Sequence, residues 1–265
     1  MKVYRFEKSI EKRFETIRCG KLWASSPSMF NDLYDCRIKI INDEVNFKIE
    51  AIKESFDFLY SNSDSSYVSH IARAALKEVL RIDERKNVGS TLRNLFSFLD
   101  LIEDLIVNNN SVVCFFSSLI TNPLMWAHYG DNHTGFCVEY EVVENSNDLF
   151  KVNYTTELPA FSLEELIFCP NQIVRRVLTT KQFEWAYENE FRLIEPLKSG
   201  KGKIIDMPEF LIPKKVILGA KFQRGDHEKI PYWHANNMAK SLNVTLSKMV
   251  YHNHNFYEEE IVVRN

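Results

Sequence analysis

Glycine is scarce and scattered in this chain. Its 265 residues hold eight glycines, and none falls in a G-x-G-x-x-G run, a Walker-type loop or a G-x-S-x-G elbow. The sequence therefore offers no glycine-built phosphate cradle and no serine-hydrolase elbow. Cysteine is thin as well. Cys19, Cys36, Cys114, Cys137 and Cys169 are odd in number, widely spaced and free of any C-x-x-C pair. That pattern argues against a disulfide framework and against a zinc knuckle. Cys114 and Cys137 sit in apolar runs and read as buried thiols. No apolar stretch approaches the roughly 18 residues that a membrane span requires. Met1-Lys2-Val3-Tyr4-Arg5 carries no apolar signal segment. The expectation is a cytoplasmic protein without a membrane partner. Neither sign of charge dominates. Lys and Arg total 33 against 36 Asp and Glu, a formal net charge of -3, so there is no global attraction to nucleic acid.

Apolar residues make up 45% of the chain, enough to build a full core at this length without staples. The expected organisation is a single domain over residues 1–265. Lys2 to Phe6 reads as a strand. A helix follows from about Ser9, with Ile10, Phe14 and Ile17 on one face and Gly20 placed to end it. Lys21 to Ser25 reads as a second strand. Val45, Ile49, Ile52, Phe56 and Leu59 then form an apolar helical stripe. Two more such stripes follow, and together they predict an inserted helical block over about residues 43–107. Val112 to Phe116 has the character of a buried strand. Asn122-Pro123 predicts an N-capped short helix. Further strands are predicted at Gly135 to Glu141, Val152 to Tyr154, Phe191 to Ile194, Lys203 to Ile205, Lys215 to Leu218, Val244 to Tyr251 and Glu259 to Val263. Further helices are predicted at Leu163 to Phe168, from near Asn171, and over Asp226 to Leu242. Strands without regular βαβ alternation favour an α+β fold over a doubly wound sheet.

The most site-like stretch is Trp185-Ala186-Tyr187-Glu188-Asn189-Glu190-Phe191-Arg192. As an extended segment it projects Glu188, Glu190 and Arg192 from one face and turns Phe191 inward. Two carboxylates about 7 Å apart along a strand suit acid–base work or the binding of a hydroxyl. The ordinary alternative is a solvated strand face with an internal ion pair. The flanking aromatics weigh against that alternative, because they are suited to walling a pocket. His128, Asp131 and His133 have donor chemistry for a metal, but no fourth ligand accompanies them, and no metal site is expected. Asn31 and Asp32 in Phe30-Asn31-Asp32-Leu33-Tyr34-Asp35 read as turn formers that bond their own backbone.

Several of these motifs together resemble a bacterial family of uncharacterised proteins catalogued as DUF2971. The matching pieces are Tyr4-Arg5-Phe6, Gly20-Lys21-Leu22-Trp23-Ala24-Ser25 with Pro27, and Phe30-Asn31-Asp32-Leu33-Tyr34-Asp35. They continue with Cys114-Phe115-Phe116-Ser117, Met125-Trp126-Ala127-His128-Tyr129 with Gly135, and Trp185 to Arg192. The family usually carries proline where this chain has Leu33. A second resemblance is to ADP-ribosyltransferases of the Arg–Ser–Glu type, which carry an arginine, a serine and a Glu-x-Glu in chain order. Arg5, Ser117 and Glu188-Asn189-Glu190 fall in that order, although Ser117 stands in Phe-Phe-Ser-Ser rather than Ser-Thr-Ser. This resemblance implies an α+β fold with a mixed, mostly antiparallel sheet core and NAD as a consumed substrate. Arg5 would fork onto the pyrophosphate. Ser117 would help orient the nicotinamide ribose or the glutamate, and Trp126 or Tyr129 would stack on nicotinamide. Glu190 would stabilise the oxocarbenium-like transition state, with Glu188 positioning the acceptor. It also implies a nucleic-acid or protein acceptor, a toxin or phage-defence role, and an antitoxin or regulatory partner. Two other readings stay open: a hydrolase or nuclease using Glu188 and Glu190 with a divalent metal, and a non-enzymatic module that grips a peptide or nucleotide.

Overall fold

The computed structural model describes residues 1–37, 39–40, 110–116, 120–143, 148–161, 165, 170–197, 200–222 and 232–261. The expected helical block at 43–107 and Ser117 lie outside the described residues. So does the expected helix at 163–168, Glu165 apart.

Strand β1 (Lys2–Glu7) runs antiparallel to β5 (Phe136–Val142), with Tyr4 opposite Glu139 and Phe6 opposite Cys137. Strand β12 (Leu211–Leu218) covers the other edge of β5, again antiparallel. Side chains alternate across this centre as strand geometry requires. Val3, Val138, Tyr140, Val216 and Leu218 enter the larger core, whereas Phe6, Cys137 and Ile217 enter a second core on the opposite face.

Helix α1 (Glu11–Arg18) presents Phe14 and Ile17 to the larger core, and Gly20 ends it in the left-handed region at φ 67°. The Phe14 ring stacks on Phe136 with centroids 4.1 Å apart. Helix α4 (Tyr232–Leu242) packs beside α1 and adds Ala235, Met238 and Ala239. It lies between β12 and β13 (Thr245–His252), which pair in parallel and so need a crossover. β13 then turns back into β14 (Asn255–Glu260) through Asn253 and His254, both at positive φ, as a two-residue hairpin loop demands. The last strand therefore starts earlier in the chain than Glu259.

The second core is sealed by α2 (Pro123–His128). Asn122 caps this helix through its side chain, and Pro123 occupies the first turn. Met125 and Trp126 of α2 are fully buried against Phe6.

The remaining strands make the sheet branch. β4 (Asn110–Phe116) pairs along its whole length with β10 (Glu190–Pro196). Its other partners are β1, met only at Tyr4–Phe116, and β2 (Lys21–Ser25), met only at Ser25–Val112. β1 and β2 therefore diverge from β4, and β2 continues outward to β11 (Gly202–Asp206). β10 also pairs with β6 (Leu149–Lys151). Two small parallel pairs complete the described strands. β3 (Lys39–Ile40) joins β8 (Ala160–Phe161), and β7 (Asn153–Thr155) joins β9 (Thr180–Gln182). Helix α3 (Pro170–Leu178) leads into β9. The architecture is mixed α/β with a mostly antiparallel sheet and few helices among the described residues. No described helix is long and apolar enough to cross a membrane.

Candidate functional site

The divergence of β1 and β2 opens a cleft of about 370 Å³. Its wall includes Arg5 from β1, Trp23 from β2, Phe30 and Asp35 from the following turn, and Tyr129 at the end of α2. Lys181 from β9 and both Glu190 and Arg192 from β10 also line it. Arg5 bridges the split. Its Nη2 donates to the Trp23 carbonyl at 3.0 Å and its Nε to Glu7 at 2.7 Å, so the guanidinium is held across the gap that ladder bonds do not close.

Beneath the cleft lies a buried cluster of five charged groups: Asp35, Lys181, Glu188, Glu190 and Arg192. Arg192 is its centre and has no solvent exposure. Its Nη1 and Nη2 fork onto the two Asp35 oxygens at 2.9 and 2.6 Å, its Nε donates to Glu190 at 2.8 Å, and Nη1 also reaches the Leu178 carbonyl at 2.9 Å. Such bidentate geometry is what lets a guanidinium survive burial. Lys181 Nζ donates to Glu188 at 2.7 Å and to Glu190 at 3.4 Å, and lies 4.8 Å from the centre of the Trp185 ring. The Tyr129 hydroxyl donates to the other oxygen of Glu188.

Local backbone sets this up differently from a continuous strand. Residues Phe183–Glu188 form a 3-10 helix that ends at Asn189, in the left-handed region at φ 47° and ψ 54°. Asparagine tolerates that conformation better than most residues. β10 begins only at Glu190, so the extended reading holds for Glu190 and Arg192 but not for Glu188. Phe191 turns to the core as expected, and Leu193 is buried there with it. The turn leaves the Glu190 amide outside the ladder, and it donates instead to the Tyr154 hydroxyl at 2.8 Å. Asp35 closes the turn in which Asp32 Oδ1 accepts from the Tyr34 amide.

Three carboxylates face two cations in this cluster. Burial raises the Glu188 pKa to about 7, Lys181 opposes the rise, and Glu190 adds to it. Protonating Glu188 brings the cluster to two against two. Burial works against the charge on Lys181, yet Glu190, Glu188 and Asp35 outweigh it and its pKa is raised.

The structure brings Arg5, Tyr129 and Glu190 to one cleft, with Glu188 directly behind Tyr129. It does not bring Trp126 there. That ring is fully buried in the second core, and its Nε1 donates to the Ile120 carbonyl at 2.7 Å. His128, Asp131 and His133 do not converge either. Asp131 accepts from the Thr134 hydroxyl, and the His133 ring meets Phe256 edge-on. Among the described residues no group of three or more His, Cys, Asp or Glu is arranged to hold a metal ion. Sequence reasoning missed Lys181 altogether and gave Asp35 only a turn role. Nothing local marks Lys181. The signal available was the surplus of carboxylates over Arg192, which requires a second buried cation.

No curated protein and no solved structure matches the chain. A family model does match part of it, from Met125 in α2 to Leu193 in β10, a span that holds Tyr129, Lys181, Glu188, Glu190 and Arg192. Over residues 125–193 the chain is thus similar to the family described as Protein of unknown function (DUF2971).

Proposed function

We propose that the cleft binds NAD and that the chain transfers its ADP-ribosyl group to an acceptor, with release of nicotinamide. The observation that carries this reading is the shared cleft of Arg5, Tyr129 and Glu190, which come from β1, the end of α2 and β10. The wall chemistry supports it. Arg5, Lys8, Arg13, Lys181 and Arg192 outnumber Glu7, Asp35 and Glu190 of the wall, and still exceed them by one when Glu188 behind Lys181 is counted, so the cleft favours an anion. Trp23, Phe30, His128 and Tyr129 supply flat faces for a planar ring. An anionic group joined to a planar ring is the description of a nucleotide. The volume suits one nucleotide half, with the rest of the dinucleotide across the open rim. That the branched sheet is an ADP-ribosyltransferase-like core is part of the same proposal.

In this reading Arg5, fixed by Glu7 and Trp23, presents a positive charge to the pyrophosphate. Glu190 faces the ribose as the bond between C1′ and nicotinamide breaks and the sugar becomes cationic. Its charge is held in place by Arg192 and Lys181, so little reorganisation is needed. The test is nicotinamide release from NAD by wild type and Glu190→Gln, with and without chelator. The substitution leaves two carboxylates against two cations, which keeps the buried cluster balanced. Glu190→Gln is expected to lower the rate by about two to three decades, with a smaller effect on NAD binding. Release that survives the substitution undiminished refutes the assignment. Activity that vanishes with chelator favours a metal-dependent hydrolase instead.

A further inference from the structure

Tyr129 is the one cleft residue whose hydroxyl donates directly to a carboxylate behind the wall, among the hydrogen bonds described. That carboxylate, Glu188, is completely buried and does not line the cleft itself. Its other oxygen is fixed by Lys181 at 2.7 Å. The arrangement has a direction: cleft, phenol, carboxylate, ammonium. Lys181 is shared with Glu190 and Asp35, so Tyr129 is the donor that links Glu188 to the cleft. On the reading proposed above, we infer that Tyr129 and Glu188 form a proton relay that deprotonates a neutral hydroxyl acceptor, water included, as it attacks the ribose.

The step balances. A lone pair of the acceptor oxygen forms the bond to C1′ while the C1′–N bond to nicotinamide breaks, and nicotinamide leaves with that electron pair. The acceptor proton passes to the Tyr129 oxygen, whose own proton passes to Glu188. The cationic nicotinamide ring of NAD, a neutral acceptor and a carboxylate become neutral nicotinamide, a neutral glycoside bond and a carboxylic acid. Tyr129 touches the acceptor and is the catalytic residue. Glu188 and Lys181 act through it, Lys181 as a positioning residue.

The surroundings bear on when the relay is charged. Glu188 faces Lys181 from β9, Tyr129 from α2, Glu190 from β10, Tyr154 from β7 and its neighbour Tyr187, with Asp35 and Arg192 one contact further away. Burial and Glu190 raise its pKa to about 7, whereas burial pushes Tyr154 and Tyr187 upward and keeps them neutral. The relay accepts a proton only when Glu188 is ionised, so the rate should climb as pH rises through that value and then level.

The experiment is the pH profile of nicotinamide release from NAD for the full chain, compared among wild type, Tyr129→Phe, Glu188→Gln and Lys181→Met. Wild type is expected to show the climb near neutrality. Tyr129→Phe and Glu188→Gln are expected to flatten it and to lower the rate at pH 8 tenfold or more, with KM for NAD little changed. Lys181→Met is expected to move the midpoint upward. Full wild-type rate and an unshifted climb in Tyr129→Phe overturn the relay while leaving the transferase reading intact. A wild type that releases no nicotinamide overturns that reading and the relay with it. Circular dichroism of each variant separates loss of fold from loss of the relay.

Discussion

Replacing Glu188 by glutamine should make the protein relatively more stable as the pH rises. The folded chain raises this carboxyl from 4.5 to about 7, chiefly through burial. A raised carboxyl pKa means that the folded state holds its proton longer than the unfolded state does. The stabilisation is full below the unfolded pKa and is lost as pH climbs through the folded one. At about 1.4 kcal/mol per pKa unit, the shift corresponds to roughly 3 kcal/mol, most of it lost between pH 5 and pH 8. Glutamine does not titrate and escapes that loss. It also lets Asp35 and Glu190 balance Lys181 and Arg192. Glutamine cannot reproduce both hydrogen bonds of the carboxylate, but that difference is the same at every pH. The quantity to measure is therefore the slope. Urea denaturation followed by tryptophan fluorescence at pH 5, 6, 7 and 8 should show the variant gaining about 2–3 kcal/mol on wild type across the range. A stability difference that stays flat, or that moves toward wild type with rising pH, refutes the view that the cluster carries one carboxylate too many.

Removal of the central cation should act in the opposite sense. Arg192→Met leaves Asp35, Glu188 and Glu190 with only Lys181, and should destabilise by about 3–5 kcal/mol at pH 8 and by less at pH 5; a pH-independent change of under about 1 kcal/mol in urea denaturation counts against this. Gly135→Ala should be severe for a steric reason. A Cβ there would stand 2.3 Å from the Glu7 carbonyl oxygen and 2.8 Å from that of Gly130, both backbone atoms. Thermal unfolding should show a loss of about 3 kcal/mol or more, and a near wild-type transition would mean that the close approach of the turn before β5 to the end of β1 is not needed.

Much of the fold was readable residue by residue. The helix between Ile10 and Gly20, the Asn122-Pro123 cap and the strand ending in Phe115-Phe116 follow from local spacing and capping chemistry, and the structure has them. So does the inward turn of Phe191, because alternation is a property of the strand itself. The sequence alone also singled out Glu188, Glu190 and Arg192 as a charged group among aromatics. Tertiary structure decided the rest. That β1 and β2 part company at β4, leaving a cleft that Arg5 spans, depends on long-range pairing no local pattern encodes. That Asn189 takes a left-handed turn, so that Glu188 reaches the cluster from a 3-10 helix, depends on what surrounds it rather than on its own propensity. Trp126 looked like a stacking ring and is core, because whether an aromatic faces a ligand or a sheet is settled by the packing of α2 against Phe6. Lys181 and Asp35 enter the site from distant elements, for charge balance in a buried space is a condition on the whole assembly of strands.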